Sequence, residues 1–224
     1  MNEPNPSVDA LPLECIIQNE TGDKVFLQEV DSRYEFAIQY ASGGERVIVL
    51  SEEQWQNLQI AIAKNKSEIE SKFLVEQLPE SLWQYSRAEI KQHYLVIWVK
   101  DEVRIREKIK EDTTEYTLTI KIGTGSTRGE FETFLTQEQH EALLPWYVGN
   151  PIEKVRFDIP CGVHTLELDL YTGSLIGHAT AEVEFPSEYD RQAFTKPGYL
   201  WLDVSNDARM KNKNLALQGF PDGL

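Results

Sequence analysis

The sequence predicts an α+β fold: an antiparallel sheet with one ionic and one apolar face, helices packed outside it, and a small β-rich unit with one helix ahead of it. Three observations carry this expectation. Charges recur at i and i+2 through seven segments between Glu68 and Glu184, with apolar residues on the opposite parity. Helix-start signatures stand at Ser51-Glu-Glu-Gln54, Thr136-Gln-Glu-Gln139 and Ser187-Glu-Tyr-Asp190. The polar run Lys64-Asn65-Lys66-Ser67 separates a turn-punctuated first part from the rest.

Length and composition narrow the class further. A chain of 224 residues suits one sizeable domain plus a smaller one, and 41% hydrophobic content with 26% charge belongs to a globular protein. Its 22 lysines and arginines face 37 acids, a net charge of −15, so its far field repels duplex nucleic acid and anionic membrane. No stretch approaches the roughly 18 consecutive apolar residues of a membrane span. MNEPNPSVDA carries neither a basic nor an apolar signal region, so residues 1–12 are expected to form a disordered lead. Cys15 and Cys161 lie far apart with no metal-ligand spacing and read as reduced thiols, which points to the cytoplasm.

Residues 13–66 read as the small unit. LECIIQ, KVFLQEV, RYEFAIQY and RVIVL are β-rich runs, with Gly22-Asp23 and Gly43-Gly44 supplying turn chemistry between them. Ser51 and Gln54 form a capping box, and Trp55, Leu58 and Ile62 follow at i, i+3 and i+7 as the stripe of a helix packed on a sheet. A unit of about 55 residues is marginal by itself. With 11 acids against 5 bases, residues 1–66 lack the basic track of a single-strand-binding groove. The unit is read as a docking or structural appendage, through which a homodimer or a protein partner would form.

Residues 67–224 are built differently. Glu68, Glu70 and Lys72 alternate with Ile69, Ser71 and Phe73; Arg104 and Arg106 alternate with Val103 and Ile105; Lys121 sits between Ile120 and Ile122. Arg128, Glu130 and Glu132 share a parity opposite Phe131, and Lys154 and Arg156 alternate with Val155 and Phe157. Glu167 and Asp169 alternate with Leu166, Leu168 and Leu170, then Glu182 and Glu184 with Val183 and Phe185. Spacing alone leaves equal room for an ordinary sheet with one wet face. Such a face would mix in serine, threonine and glutamine, whereas these positions hold seven cations and eight carboxylates. If the sheet curls with its charges inward, they must be paired or filled with ligand. Lysine and arginine from several strands then make a polyphosphate site, and paired carboxylates suit magnesium or manganese (Mg2+ or Mn2+).

These segments resemble a known family. Glu68-Ile-Glu-Ser-Lys72 matches the ExExK signature that opens the CYTH domain, also called the triphosphate tunnel metalloenzyme family. The resemblance continues in order through VRIR (103–106), LTIK (118–121), RGEFE (128–132), KVRF (154–157), LELDLYTG (166–173), AEVEF (181–185) and the closing WLDVSNDARMKNKNLA (201–216). It implies an eight-stranded antiparallel β-tunnel with outer helices over 67–224, binding a triphosphate along its axis. It further implies that Glu68, Glu70, Glu182 and Glu184 hold the divalent metal, with Glu130, Glu132 and Asp169 as supporting or second-metal carboxylates. Lys72, Arg104, Arg106, Lys121, Arg128, Lys154 and Arg156 would grip the phosphates. Lys72, Glu68, Glu70 and Arg209 would act closest to the chemistry. Ser71 stands where the family commonly has arginine, and Ser205 and Met210 where it has threonine and tyrosine. No His-Phe pair precedes the signature at the spacing of class IV adenylyl cyclases.

Other sites are weaker on inspection. His93, His140, His164 and His178 have no zinc-pair spacing and are expected at the surface or partly packed. GTGSTRG around Ser126 lacks the lysine and following helix of a phosphate loop and reads as a hairpin turn. Trp83, Trp98, Trp146 and Trp201 are expected in core or wall. The expected activity is divalent-metal-dependent hydrolysis of a linear triphosphate, with tripolyphosphate ahead of nucleoside and thiamine triphosphates. The alternatives are a class IV-like adenylyl cyclase and a non-catalytic triphosphate or polyphosphate sensor.

Overall fold

In the computed structural model, residues 14–18, 22–30, 33–56, 69–122 and 129–224 are described, and they fall into two units, within 1–56 and 57–224. The expected lead at 1–12, the helix residues Leu58 and Ile62, the linker at 64–67, Glu68, and the hairpin turn with Arg128 lie outside the described residues.

The first unit is an antiparallel meander of β1 (Glu14–Gln18), β2 (Lys24–Val30), β3 (Arg33–Gln39) and β4 (Glu45–Leu50), in that order across the sheet. The β3–β4 turn closes where Gly43 N donates to Tyr40 O, and Gly43 and Gly44 take φ of 92° and 102°, a region that favours glycine. The expected capping box forms: Gln54 N donates to Ser51 Oγ and Ser51 N to Gln54 Oε1, which starts the helical residues 52–56, α1. Trp55 stacks on Tyr34 with ring centroids 4.9 Å apart. Val25, Phe36, Ile38, Ile48 and Leu50 are buried.

The second unit is one antiparallel sheet of β5 (Ile69–Val75), β6 (Ser86–Ile97), β7 (Glu102–Lys110), β8 (Thr113–Ile122), β9 (Gly129–Leu135), β10 (Val148–Cys161), β11 (His164–Tyr171), β12 (Ala179–Phe185) and β13 (Leu200–Asp203). Their order is β13-β5-β12-β11-β10-β6-β7-β8-β9. The described sheet has one strand more than the expected eight. A ninth strand, β13, is drawn from the closing segment and pairs with the free edge of β5. The ladder ends at β13 and β9, so backbone pairing among the described residues does not close the sheet into a ring.

Strand alternation sorts the side chains as period-2 geometry requires. Phe73, Phe157, Ile159, Leu166, Leu168, Ala181, Val183 and Phe185 form one apolar cluster, on the parity opposite the charges. Ser71 lies on that face, opposite Val183 and 3% exposed, so it stays off the ionic side as its position implies. A second cluster joins Leu74, Tyr94, Ile152, Tyr171 and Leu175 to Val204, Met210, Leu215 and Ala216 of the C-terminal segment. That segment ends in α4 (Asn212–Gln218), whose approach requires Gly149: a Cβ there would stand 2.8 Å from Ala216 O.

The helix α2 (Gln137–Leu143) is opened by the expected Thr136–Gln139 capping box and contacts β8 and β9. His140 of α2 and His93 of β6 are each 4% exposed, against the expectation of surface or partly packed histidines. Burial and the neighbouring Lys91 push His93 down to about 4. Trp83 and Trp201 are 63% and 51% exposed and so are not core residues, although Trp83 packs edge-on against Phe157. The third helix, α3 (Glu188–Ala193), is capped by Ser187 as expected, but it does more than cover the outside. Its Glu188 and Arg191 line the cavity described next. No helix among the described residues is long and apolar enough to cross a membrane.

Candidate active site

All eight strands from β5 to β12 turn side chains into one cavity of about 560 Å³, and residues 204–207 and 210–213 complete its wall. It gathers nine of the chain's 22 bases but only nine of its 37 acids, so bases are enriched and formal charge balances here in an otherwise strongly acidic protein. Of the residues singled out from sequence, Glu70, Lys72, Arg104, Arg106, Lys121, Glu130, Glu132, Lys154, Arg156, Glu182 and Glu184 all line it.

Strand register builds the network. Directly opposed residues on one face of an antiparallel pair are near neighbours. Lys72 faces Glu182 across β5 and β12, and its ammonium lies 3.0 Å from Oε1 of that glutamate. Arg156 faces Asp169 across β10 and β11 and makes a fork, Nε to Oδ1 and Nη2 to Oδ2, both at 2.7 Å. Lys154 donates to the same carboxylate at 2.5 Å, and Arg156 also pairs with Glu167 and Glu182. On the other side Lys121 faces Glu130 at 2.5 Å, and Thr119 Oγ1 donates to Glu132 Oε2 at 2.9 Å.

Charge states follow from these contacts. Burial opposes ionisation of Glu182, but Lys72 and Arg156 hold its carboxyl well below the usual carboxylate range. Burial likewise opposes the charge on Lys72, and Glu182 more than restores it, raising the ammonium above its ordinary value. Lys154 is pushed down to about 8 by burial and by the neighbouring Arg156, despite Asp169. Arg106 is pushed down to about 10 by burial and by Arg104. The Nε groups of Arg104 and Arg106 are buried without a hydrogen-bond partner. Such donors are costly unless an acceptor arrives, which suits an anionic ligand.

Two expected site residues are placed differently. Asp169 is fully buried behind Lys154 and Arg156 and does not line the cavity. Sealed from the cavity with both oxygens on cations, it supports the cavity-facing Lys154 and Arg156 and is not offered to a metal. Arg209 is also absent from the lining, because its guanidinium folds back onto Asp207 at 2.6 Å with over half its side chain exposed. Sequence reasoning passed over Tyr94, Glu102, Asp207, Lys211, Asn212 and Lys213, which do line the cavity. Glu102 shares the parity of Arg104 and Arg106 and was findable by the same rule. The residues after β13 obey no strand period, and only their place in the closing WLDVSNDARMKNKNLA block marked them.

For a divalent cation the donor set is carboxylate oxygen, the ligand of hard cations. Glu70 and Glu184 stand directly opposite on β5 and β12, as do Glu182 and Glu167 on β12 and β11. Like charges so placed repel. Burial, then Glu182 and Glu184, raises Glu70 above its ordinary value. A cation would relieve this crowding, so the carboxylates fit one, although among the described residues no three acidic, histidine or cysteine side chains already converge on a metal position.

The chain is 37% identical over 153 residues to an inorganic triphosphatase of Nitrosomonas europaea, a match that covers 67% of this chain and 97% of the relative. The crystal structure of an inorganic triphosphatase aligns with a TM-score of 0.53 at 35% identity, over 67% of this chain and 95% of that one. A second crystal structure of that same protein, described as hypothetical, aligns with a TM-score of 0.53 at 35% identity, over 69% of this chain and all of the other. No family model matches the chain. Identity of 37% over nearly the relative's whole length defines the class: the protein belongs to the family of the Nitrosomonas inorganic triphosphatase.

Proposed function

We propose that the protein hydrolyses a linear triphosphate, inorganic tripolyphosphate foremost, in this cavity, and that its family is the CYTH family of triphosphate tunnel enzymes. The observation that carries the reading is the set of six cations, Lys72, Arg104, Arg106, Lys121, Lys154 and Arg156, turned from four strands into one cavity of a chain with net charge −15. Two of them hold buried Nε donors without partners. The cavity's width of chemistry is narrow: charge dominates its wall, and Tyr94 is its one aromatic lining residue among those described.

In the reaction, water adds to the terminal phosphorus, the bridging P–O bond breaks, and orthophosphate and pyrophosphate result. The lysines and arginines bind the phosphoryl oxygens and stabilise the charge that builds on them and on the departing pyrophosphate. Asp169 holds Lys154 and Arg156 in place, and Glu130 holds Lys121, so the cationic cradle is set before substrate arrives. Glu70, Glu182 and Glu184, joined by Glu68, are the groups that would hold Mg2+ or Mn2+, which when bound supplies charge neutralisation and a more acidic water. The unit within 1–66 is proposed as a docking appendage, and the cytoplasm as the location.

Phosphorus NMR of products from tripolyphosphate, ATP and thiamine triphosphate, with magnesium and with manganese, tests the reading. Orthophosphate and pyrophosphate from tripolyphosphate, abolished in Glu70→Gln with the fold retained, is the expected result. Full activity in Glu70→Gln would remove the metal-site assignment. Cyclic AMP and pyrophosphate from ATP would replace hydrolysis with cyclisation, and heat protection by tripolyphosphate without product would make the protein a sensor.

A further inference from the structure

Lys72 is tied to the C-terminal segment at three points. Val204 N donates to Lys72 O at 2.8 Å, and Lys72 N donates to Ser205 Oγ at 2.9 Å. Its ammonium, besides meeting Glu182, donates to Asn212 Oδ1 at 3.3 Å. The same Oδ1 accepts from Tyr171 OH at 3.2 Å, and that hydroxyl sits 3.2 Å from Thr180 Oγ1. An ammonium only donates, so the amide must turn its oxygen to Lys72. Asn212 thereby joins β5 and β11 through one atom, with Tyr171 carrying the contact on to β12, while lining the cavity itself.

We propose that Asn212 is a positioning residue, which fixes the direction of the Lys72 ammonium towards bound phosphate; this rests on the triphosphatase reading above. Glu182 alone would leave the four-carbon stem free to swing about one anchor. A second acceptor defines its direction, and a neutral amide does so without adding a negative charge to a phosphate site. The helix carrying Asn212 is itself held. Lys213 Nζ donates to Trp98 O at 3.0 Å and to Val99 O at 3.2 Å, and Leu215 and Ala216 are buried in the inner apolar cluster. The C-terminal segment is therefore a working part of the site, not a cover over it.

The test measures steady-state kinetics and calorimetric binding of magnesium tripolyphosphate to the full chain. Asn212→Ala is expected to lower kcat about tenfold or more, since a hydrogen bond to a charged group is lost, with a smaller change in KM. Its melting temperature should stay within about 3 °C of the wild type. Asn212→Asp should keep the lysine anchored but raise KM by adding charge. In a Lys72→Met background, Asn212→Ala should add no further loss of tripolyphosphate binding, because partners in one interaction do not act additively. Gln218→Ala, on the exposed face of the same helix, should behave as wild type. A wild-type kcat in Asn212→Ala, or full additivity with Lys72→Met, would overturn the inference while leaving the triphosphatase reading intact. A wild-type protein that neither binds nor cleaves tripolyphosphate would sink that reading, and this inference with it.

Discussion

The two banks of the cavity obey one alternation rule and differ in how their charges are met. On the bank of β10, β11, β12 and β5, each of the three cations has a carboxylate: Lys154 and Arg156 share Asp169, and Lys72 meets Glu182. On the bank of β7, Arg104 reaches Glu130 only at 3.7 Å, and Arg106 reaches Gln92 Oε1 at 3.4 Å. Register explains the contrast. Arg156 and Lys72 stand opposite acids, whereas Arg104 stands between Tyr94 and Thr119, and Arg106 between Gln92 and Thr117. The first bank is satisfied before any ligand arrives, and the second keeps donors in reserve. Closely paired and loosely met cations are thus divided between strands that look alike in sequence, and the proposed reading assigns preorganisation to the first and ligand reception to the second.

The comparison breaks most sharply at Asp169. Asp169→Ala leaves the buried Lys154 without its carboxylate and strips the fork from Arg156, and should cost about 3–5 kcal/mol of stability in urea unfolding, or prevent folding. A loss below about 1 kcal/mol would mean the first bank is not a structural ion cluster. Arg106→Met makes the opposite case. It removes a cation that burial disfavours, so stability should change by less than about 1 kcal/mol, while kcat/KM for tripolyphosphate falls about tenfold to a hundredfold. A large stability loss with little kinetic effect would reverse the roles assigned to the two banks.

The smallest effect is in pH. Lys154 titrates near 8 in the folded chain, below the ordinary lysine value, so the unfolded chain binds more protons between about 8 and 10.4. Stability from this group should therefore rise as pH rises through that window. Phosphate affinity should move the other way, because the cation is being lost. A KM for tripolyphosphate that climbs above pH 8 in the wild type, and stays level in Lys154→Arg, is the expected profile. A level wild-type profile would show that Lys154 keeps its proton in the complex.

Much of the site was legible because strand parity is a strict rule. Once Val103, Ile105, Phe157 and Val183 are assigned to an apolar face, Arg104, Arg106, Arg156 and Glu182 have no other side to occupy. Parity says nothing of depth along a face. It could not separate Asp169, sealed beneath two cations, from Glu184 at the open cavity, although both sit at charged positions of adjacent strands. Nor does it reach beyond the strands. Arg209 was expected near the substrate from its neighbours in sequence, and a local contact with Asp207 takes it elsewhere.

By itself, the sequence determined which strand side chains share the ionic face, since backbone geometry sends alternate residues to opposite faces whatever the rest of the chain does. It also determined that those faces had to be covered or paired, since so many charges cannot be left buried alone. Only the tertiary structure decided which acid meets which base, because pairing is set by cross-strand register. Only it decided that the segment after β13 supplies Ser205 and Asn212 to a lysine more than 130 residues earlier in the chain. Contacts of that kind depend on packing between distant elements, where no local period leaves a trace.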